Sequence, residues 1–373
     1  MKAWPGLGVV AIQLFLLLAH WFLYRTWIAF WPGLSAEAQA WLWVATLVLA
    51  FSFAPAALLN FRFTNRVVAL LYAAASLWLG FLNYLFWAAC LCWPAWFVLR
   101  ICGLADGAGD PPGAIAAWLF GAAVAAGIFG LVNARIVRVR RFSVSLPNLP
   151  AAWRGRRALL MSDLHLGTIN GARFARRLAK LARRLEPAIV FLPGDLFDGT
   201  RAGLDRAVAP LSEIAAPLGT YFSTGNHEEF GDPTPYLDAA ARAGIRVLAN
   251  ERVNVEGVDV IGLSYSDSTY PIRVRAFLES LRLDPAVPSI LLNHSPTRLP
   301  IVEQAGVSLQ LSGHTHGGQI FPFTWITRRV FGRFTHGLHR FGSLQVCTST
   351  GAGTWGPAMR VGTASEVVLL TFE

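Results

Sequence analysis

Four apolar stretches open the chain, at about 7–30, 39–59, 67–99 and 114–133. Each reaches the roughly 20 residues that a helix needs to cross a bilayer. They show almost no polar face, whereas the helices of a soluble core keep one side for water. The segment 60–66 divides the second stretch from the third. The segment 103–113, with Asp106, Asp110, Pro111 and Pro112, divides the third from the fourth. Trp21, Trp27, Trp31, Trp41, Trp43 and Trp93 stand near the ends of stretches, where indole rings suit the boundary between lipid and water. The pattern predicts an all-α transmembrane region of about four helices over residues 1–134.

From about Arg157 the period changes. Short apolar runs at 158–161, 188–192, 220–223 and 289–292 each end in a polar cluster, and they alternate with helical patterns such as 171–185. That alternation predicts an α/β layered domain over 157–373, joined to the helices by a basic linker over 135–156. Ligands in such folds gather at the carboxyl ends of strands.

Composition sharpens this division. Only 14% of the residues are charged, against about 25% in a typical soluble domain, which fits a chain solvated partly by lipid. Five basic and three acidic residues precede residue 134, leaving 27 basic and 19 acidic ones beyond it, so most of the net charge of +10 is C-terminal. A basic domain favours anionic partners. No nucleic-acid-binding motif accompanies the charge, so the expected partners are membrane lipids and a phosphate-containing small-molecule or lipid substrate, not nucleic acid.

The arginines also orient the spans. With four crossings, Lys2, Arg62, Arg66, Arg135, Arg138, Arg140 and Arg141 share one side. Glu37, Asp106 and Asp110 share the other, with Arg25 and Arg100 near span ends. The positive-inside bias then places the C-terminal domain in the cytoplasm, attached to the inner membrane of the cell. A second crossing by the third stretch, which contains Pro94, would reverse the sides. The four cysteines show no paired spacing and read as small buried hydrophobes.

Five polar clusters carry the candidate chemistry: Asp163-Leu164-His165; Gly194-Asp195-Leu196-Phe197-Asp198; Gly225-Asn226-His227-Glu228; Asn293-His294; and Gly313-His314-Thr315-His316-Gly317-Gly318. Carboxylate and imidazole together suit Zn, Mn or Fe better than Mg or Ca, which prefer oxygen shells. Any one cluster has a bland explanation as a helix cap or a turn. Neither demands histidine, yet five of the chain's eight histidines stand in these clusters at successive strand ends.

These blocks resemble the calcineurin-like metallophosphoesterase superfamily, whose signature is D-x-H, G-D-x-x-D, G-N-H-[ED], H and G-H-x-H. All five occur in order across about 163–319, and the runs 162–167 and 312–320 are similar to a bacterial membrane-attached subgroup. The resemblance implies a four-layer sandwich, two mixed sheets face to face with helices outside. It assigns Asp163, His165 and His316 to one divalent transition-metal ion and Asn226, His294 and His314 to a second, with Asp195 bridging both. His227 becomes the general acid for the leaving oxygen, and Asp198 the residue that orients its ring. Their bland alternatives are a structural histidine and a helix cap. Ser/Thr protein phosphatases of the superfamily carry Arg after the second Asp of G-D-x-x-D. Here Gly199 stands there, which argues against a protein substrate. Glu228 receives no role.

Two further segments bear on the substrate. Over 170–185, Phe174, Leu178, Leu181 and Leu185 repeat at helical spacing opposite six basic residues, as in an ordinary layer helix with a solvated face. Over 321–334, Trp325 and Phe331 mix with Arg328, Arg329 and Arg333 just beyond the last motif, a composition that suits anionic headgroups as well as it suits core packing. The expected function is a membrane-anchored dinuclear-metal hydrolase of phosphoester or pyrophosphate bonds, acting on a lipid-linked or envelope-precursor substrate at the cytoplasmic face. The alternatives are a phosphodiesterase or phosphatase of soluble nucleotides, and a membrane signalling protein with a degenerate phosphoesterase domain.

Overall fold

The structure, a computed structural model, describes residues 4–63, 65–103, 113–201 and 203–373. Lys2, Asp106, Asp110, Pro111 and Pro112, used above for loops and orientation, lie outside the described residues. The chain divides into two compact units, residues 1–132 with 356–359, and residues 133–355 with 360–373.

The first unit is helical: α1 (Trp4–Phe30), α2 (Ala36–Ala50), α3 (Phe53–Arg62), α4 (Arg66–Ile101) and α5 (Gly113–Ala134). Four segments are long and apolar enough to cross a membrane, Gly8–Phe30, Ala36–Arg62, Arg66–Ile101 and Gly113–Ala134. They coincide with the four stretches expected. The second is interrupted at Phe51-Ser52, where Ser52 Oγ donates to Leu49 O at 2.7 Å. Pro55 then falls in the first turn of α3, where a missing N–H breaks no helical bond. The third stretch is one continuous helix of 36 residues through Pro94. Inside the bundle polar groups pair with each other: Trp93 Nε1 donates to Thr26 Oγ1 at 2.9 Å and Trp78 Nε1 to His20 Nε2 at 2.8 Å.

The second unit holds twelve strands: β1 (Val137–Val144), β2 (Arg157–Leu160), β3 (Ile189–Pro193), β4 (Thr220–Ser223), β5 (Arg246–Val247), β6 (Glu251–Val255), β7 (Val258–Gly262), β8 (Ser289–Leu292), β9 (Leu309–Ser312), β10 (Gly337–Phe341), β11 (Leu344–Thr348) and β12 (Ser365–Phe372). They form two six-stranded mixed sheets, in the orders β1-β12-β2-β3-β4-β5 and β10-β11-β9-β8-β7-β6. Alternation along each strand assigns its two faces. In β2, Ala158 and Leu160 join the core between the sheets, where Ile290, Leu292, Leu309 and Leu311 of the other sheet meet them. Leu159 points the other way, into a core with Phe174 and Leu178 of α6 (Ala172–Leu185). Val274, Leu278, Leu299 and Val302 of further helices cover the outer face of the second sheet. The result is the four-layer sandwich.

The expected linker over 135–156 is partly sheet. Residues 137–144 pair in parallel with β12 as its edge strand. The alternation in Val137-Arg138-Val139-Arg140 is the local reason: Val137 and Val139 pack on the helix-side core while Arg140 stays exposed. The helix over 172–185 buries Phe174, Leu178 and Leu185 and leaves its arginines in water, as an ordinary layer helix does.

Candidate metal centre

Each signature block follows the carboxyl end of a strand: Asp163 and His165 after β2, Asp195 and Asp198 after β3, Asn226 and His227 after β4, His294 after β8, His314 and His316 after β9. The first three strands are neighbours in one sheet and the last two in the other, so the blocks meet where the edges of the two sheets converge. The turns are sharp. Asp163, His165, Asp195, His314 and His316 all have φ between +47° and +68°, a left-handed conformation that costs of order 1–3 kcal/mol per non-glycine residue. Such strain persists because the surrounding packing fixes it. Two glycines are obligatory for the same approach: a Cβ on Gly225 would collide with Asp195 Oδ1, and one on Gly313 with Asp163 Oδ2.

The donor atoms converge in groups. Asp163, His165 and His316 offer ligand atoms within 4.8 Å of one another, as do Asp163, Asp195 and His294, and also His165, Asp195 and His227. His165 Nε2 lies 3.1 Å from His316 Nε2, which is 3.4 Å from Asp163 Oδ1. Asp195 Oδ2 lies 3.2 Å from His294 Nε2 and 3.8 Å from His165 Nε2. His314 Nδ1 is 3.0 Å from Asn226 Oδ1, and its ring centroid is 4.9 Å from that of His294. All seven residues expected as ligands are therefore together, with Asp195 common to two of the three groups.

The protonation pattern fits a divalent ion. Burial, reinforced by neighbouring positive groups, holds His165 and His316 well below the ordinary imidazole range, and burial pushes His314 down to about 4. These rings are neutral and keep a lone pair for a cation. His294 is the exception: burial opposes its protonation, but the Asp195 and Asp163 carboxylates outweigh burial and raise it to about 10. Its Nδ1 faces Pro193 O at 2.8 Å, so Nδ1 must donate. Its Nε2 is left buried, aimed at Asp195, and without a bond of proper geometry. Two facing imidazole nitrogens and an orphaned third beside buried carboxylates form a donor set that suits transition-metal ions.

His227 is placed differently. Its main-chain N–H donates to Asp195 Oδ1 at 3.0 Å, and its Nδ1 sits 2.9 Å from Asp198 O. A carbonyl only accepts, so Nδ1 carries the proton and Nε2 faces the centre, 4.0 Å from Asp195 Oδ2. Asp198 thus touches the ring through its main chain and not through its carboxylate. That carboxylate accepts from Thr168 N, Thr200 N and Thr200 Oγ1 at 2.6–2.9 Å. The carboxylate holds the loop whose carbonyl orients the ring.

Two residues were missed in the sequence reading. Glu228 is fully buried and accepts from Asp195 N, Gly225 N and Phe197 N at 2.7–3.0 Å, tying the Asp195 loop to the Asn226 loop. Its signal was present, as the acidic residue beside His227. Arg360 is also fully buried; it donates to His316 O at 3.0 Å, to Gly353 O at 2.6 Å and to Gly351 O at 3.2 Å, fixing the loop that carries His316. It lies far beyond the last motif, where nothing in the sequence marked it.

The mouth of the centre is aromatic. Phe230 and Trp355, exposed by 59% and 47%, stand 4.5 and 5.5 Å from the His227 ring. Tyr265 and Phe331 stand 5.8 and 6.3 Å from the His314 ring.

Comparison with known proteins agrees with this geometry. The pattern of the calcineurin-like phosphoesterases matches residues 156–318. An uncharacterized metallophosphoesterase of Aquifex aeolicus is 31% identical over 259 residues, which cover 67% of this chain and 97% of that one. One from Campylobacter jejuni is 30% identical over 63% of each chain. A zebrafish transmembrane protein with metallophosphoesterase domain is 31% identical over 66% of this chain and 60% of that one. The matches thus span about six tenths of the last two proteins. With the sandwich, the five blocks and the Aquifex relative in agreement, the chain belongs to the calcineurin-like phosphoesterase family.

Proposed function

We propose that the chain is a membrane-anchored phosphoesterase that uses two divalent transition-metal ions. Asp163, His165 and His316 would hold one ion and Asn226, His294 and His314 the other, with Asp195 serving both. The observation that carries this reading is the convergence of six donor residues and Asp195 in one buried cluster. Two divalent ions held there would supply an activated water and positive charge for the phosphoryl oxygens. His227, in its doubly protonated form, presents Nε2–H to the leaving oxygen and gives up that proton, while its Nδ1–H stays on the Asp198 carbonyl that fixes the ring. Asp195, ionised because the His294 charge overcomes its burial, supplies the negative charge that holds the ions together.

The substrate in this reading is a phosphoester or pyrophosphate with an apolar body, lipid-linked and met at the cytoplasmic face. Phe230 and Trp355 beside His227, and Tyr265 and Phe331 beside His314, are apolar walls that a purely polar phosphate would not use. A soluble nucleotide is the second reading, since exposed aromatic rings also stack on bases. The arginine distribution supports the cytoplasmic side, and a C-terminal reporter active only outside the cytoplasm would overturn that orientation.

The test uses the purified full chain. It should carry about two transition-metal ions and hydrolyse a chromogenic phosphodiester, and Asp195→Asn should abolish hydrolysis. Full activity after exhaustive chelation, or in Asp195→Asn, would defeat the two-ion reading. Hydrolysis of lipid phosphates in micelles, set against hydrolysis of free nucleotides, separates the two substrates.

A further inference from the structure

Beside the centre runs a nine-residue helix, Phe323–Phe331, in which no residue is buried. Phe323, Ile326 and Val330 follow at i, i+3 and i+7, share one face and are all exposed, Val330 by 68%. Trp325, also 68% exposed, shares the adjoining face with Arg328 and Arg329. Arg333 follows, and the segment 321–334 contains three arginines and no acidic residue.

This exposure is held in place. Phe331 packs on His314, Thr315 Oγ1 donates to Thr335 O at 2.7 Å, and Phe323 N donates to Ile320 O at 2.9 Å. Both ends of the segment are therefore tied to the loop that carries His314 and His316. The helix displays an apolar stripe flanked by cations from a fixed base.

We propose that this helix is an interfacial anchor. It lies in the surface of an anionic bilayer, with Phe323, Ile326 and Val330 among the upper acyl chains and Arg328, Arg329 and Arg333 on headgroup phosphates. Charge selects this occupant over a second copy of the chain, because a symmetric pairing of these faces would set arginine against arginine. The four membrane-crossing segments of the same chain keep a bilayer at high effective concentration. This deepens the membrane-substrate reading and rests on it. Because the helix touches His314, docking carries the centre to the level of lipid phosphates.

Spin labels test it in the full chain, with Cys90→Ser and Cys102→Ser to leave only the buried Cys92 and Cys347. Labels go singly at Ile326→Cys and Val330→Cys, and at Ile272→Cys on the helix Pro271–Leu281 as control. In reconstituted vesicles containing phosphatidylglycerol, labels 326 and 330 should meet oxygen and be shielded from a water-soluble nickel chelate. Label 272 should stay in water. Arg328→Gln and Arg329→Gln should each weaken the docking equilibrium about fivefold, the factor equal to roughly 1 kcal/mol per headgroup contact. Labels 326 and 330 as open to the chelate as 272 would overturn the anchor, and so would dipolar broadening from a second copy. If the labels stay in water while lipid phosphates are still hydrolysed, docking falls and the substrate reading stands. Docked labels with turnover of nucleotides alone give the reverse.

Discussion

The centre and its rim invert the usual partition of polar and apolar side chains in opposite senses. At the centre Asp163, His165, Asp195, Glu228 and His294 are sealed from water, where carboxylates are rarely found without partners. At the rim Phe230, Trp355, Trp325 and Val330 are exposed, where large apolar groups gain nothing from the protein's own core. Each inversion is held by neighbours that have no other use for the arrangement. Main-chain N–H groups converge on the buried carboxylates, and Gln319, which donates to Trp355 O and accepts from Trp355 N, holds the main chain that carries that exposed ring. On the proposed reading the buried half serves ions and the exposed half an apolar partner. Substitutions should therefore separate chemistry from recognition along this line.

The largest separation is expected at His227, which stands on the boundary, with its Nε2 toward Asp195 and its ring against Phe230. His227→Ala should keep both ions and lose roughly 10²–10⁴-fold in kcat. The loss should shrink for a nitrophenolate leaving group, which needs no proton. Metal analysis alongside steady-state kinetics decides the matter, because a variant that arrives without metal marks His227 as a ligand instead.

Glu228 probes the buried half alone. Both of its oxygens accept main-chain N–H donors, so Glu228→Gln turns one acceptor into a donor and leaves an N–H unpaired beside Asp195. Metal affinity should fall about 10–100-fold, as when a ligand loses the group that supports it. Metal restored in excess should recover most of the turnover. Unchanged affinity in a competition titration with a chelator would show that the Asp195 loop holds itself.

The two halves were not equally legible in the sequence. Asp163, Asp195, Asn226 and the histidines stood out because metal binding would demand particular atoms, and the strands that present them leave runs such as 189–192 and 290–292 entirely apolar. Support by main-chain atoms left little trace. Nothing in Gly194-Asp195-Leu196-Phe197-Asp198 distinguishes a carboxylate that faces His227 from one that braces its own turn, and the structure shows the second. Arg360 was invisible because its partners are carbonyls, which any residue supplies. The strand over 137–144 was masked by its arginines, since an edge strand tolerates charge on its open face. The exposure of 323–331 could not be read either, because a stripe of Phe, Ile and Val serves a core and a membrane surface equally well.

The smallest expected effect tests the exposed half at its nearest approach to the chemistry. Phe230 and Trp355 flank the His227 ring, the proposed proton donor to the leaving oxygen, so the departing group is the one they would contact. Phe230→Ala with Trp355→Ala should raise KM about tenfold for a phosphodiester with a long alkyl leaving group. That factor equals about 1.4 kcal/mol, roughly the low end of what burying one large apolar side chain gives, as suits rings that stay half in water. For a methyl leaving group the same double variant should lose little, because a methyl group reaches neither ring. A nucleotide substrate makes a different demand: stacking needs a flat ring, so Trp355→Leu should be as harmful as Trp355→Ala for a nucleotide and nearly harmless for an alkyl chain. Equal losses for short and long leaving groups would remove these rings from recognition and leave them as packing around His227.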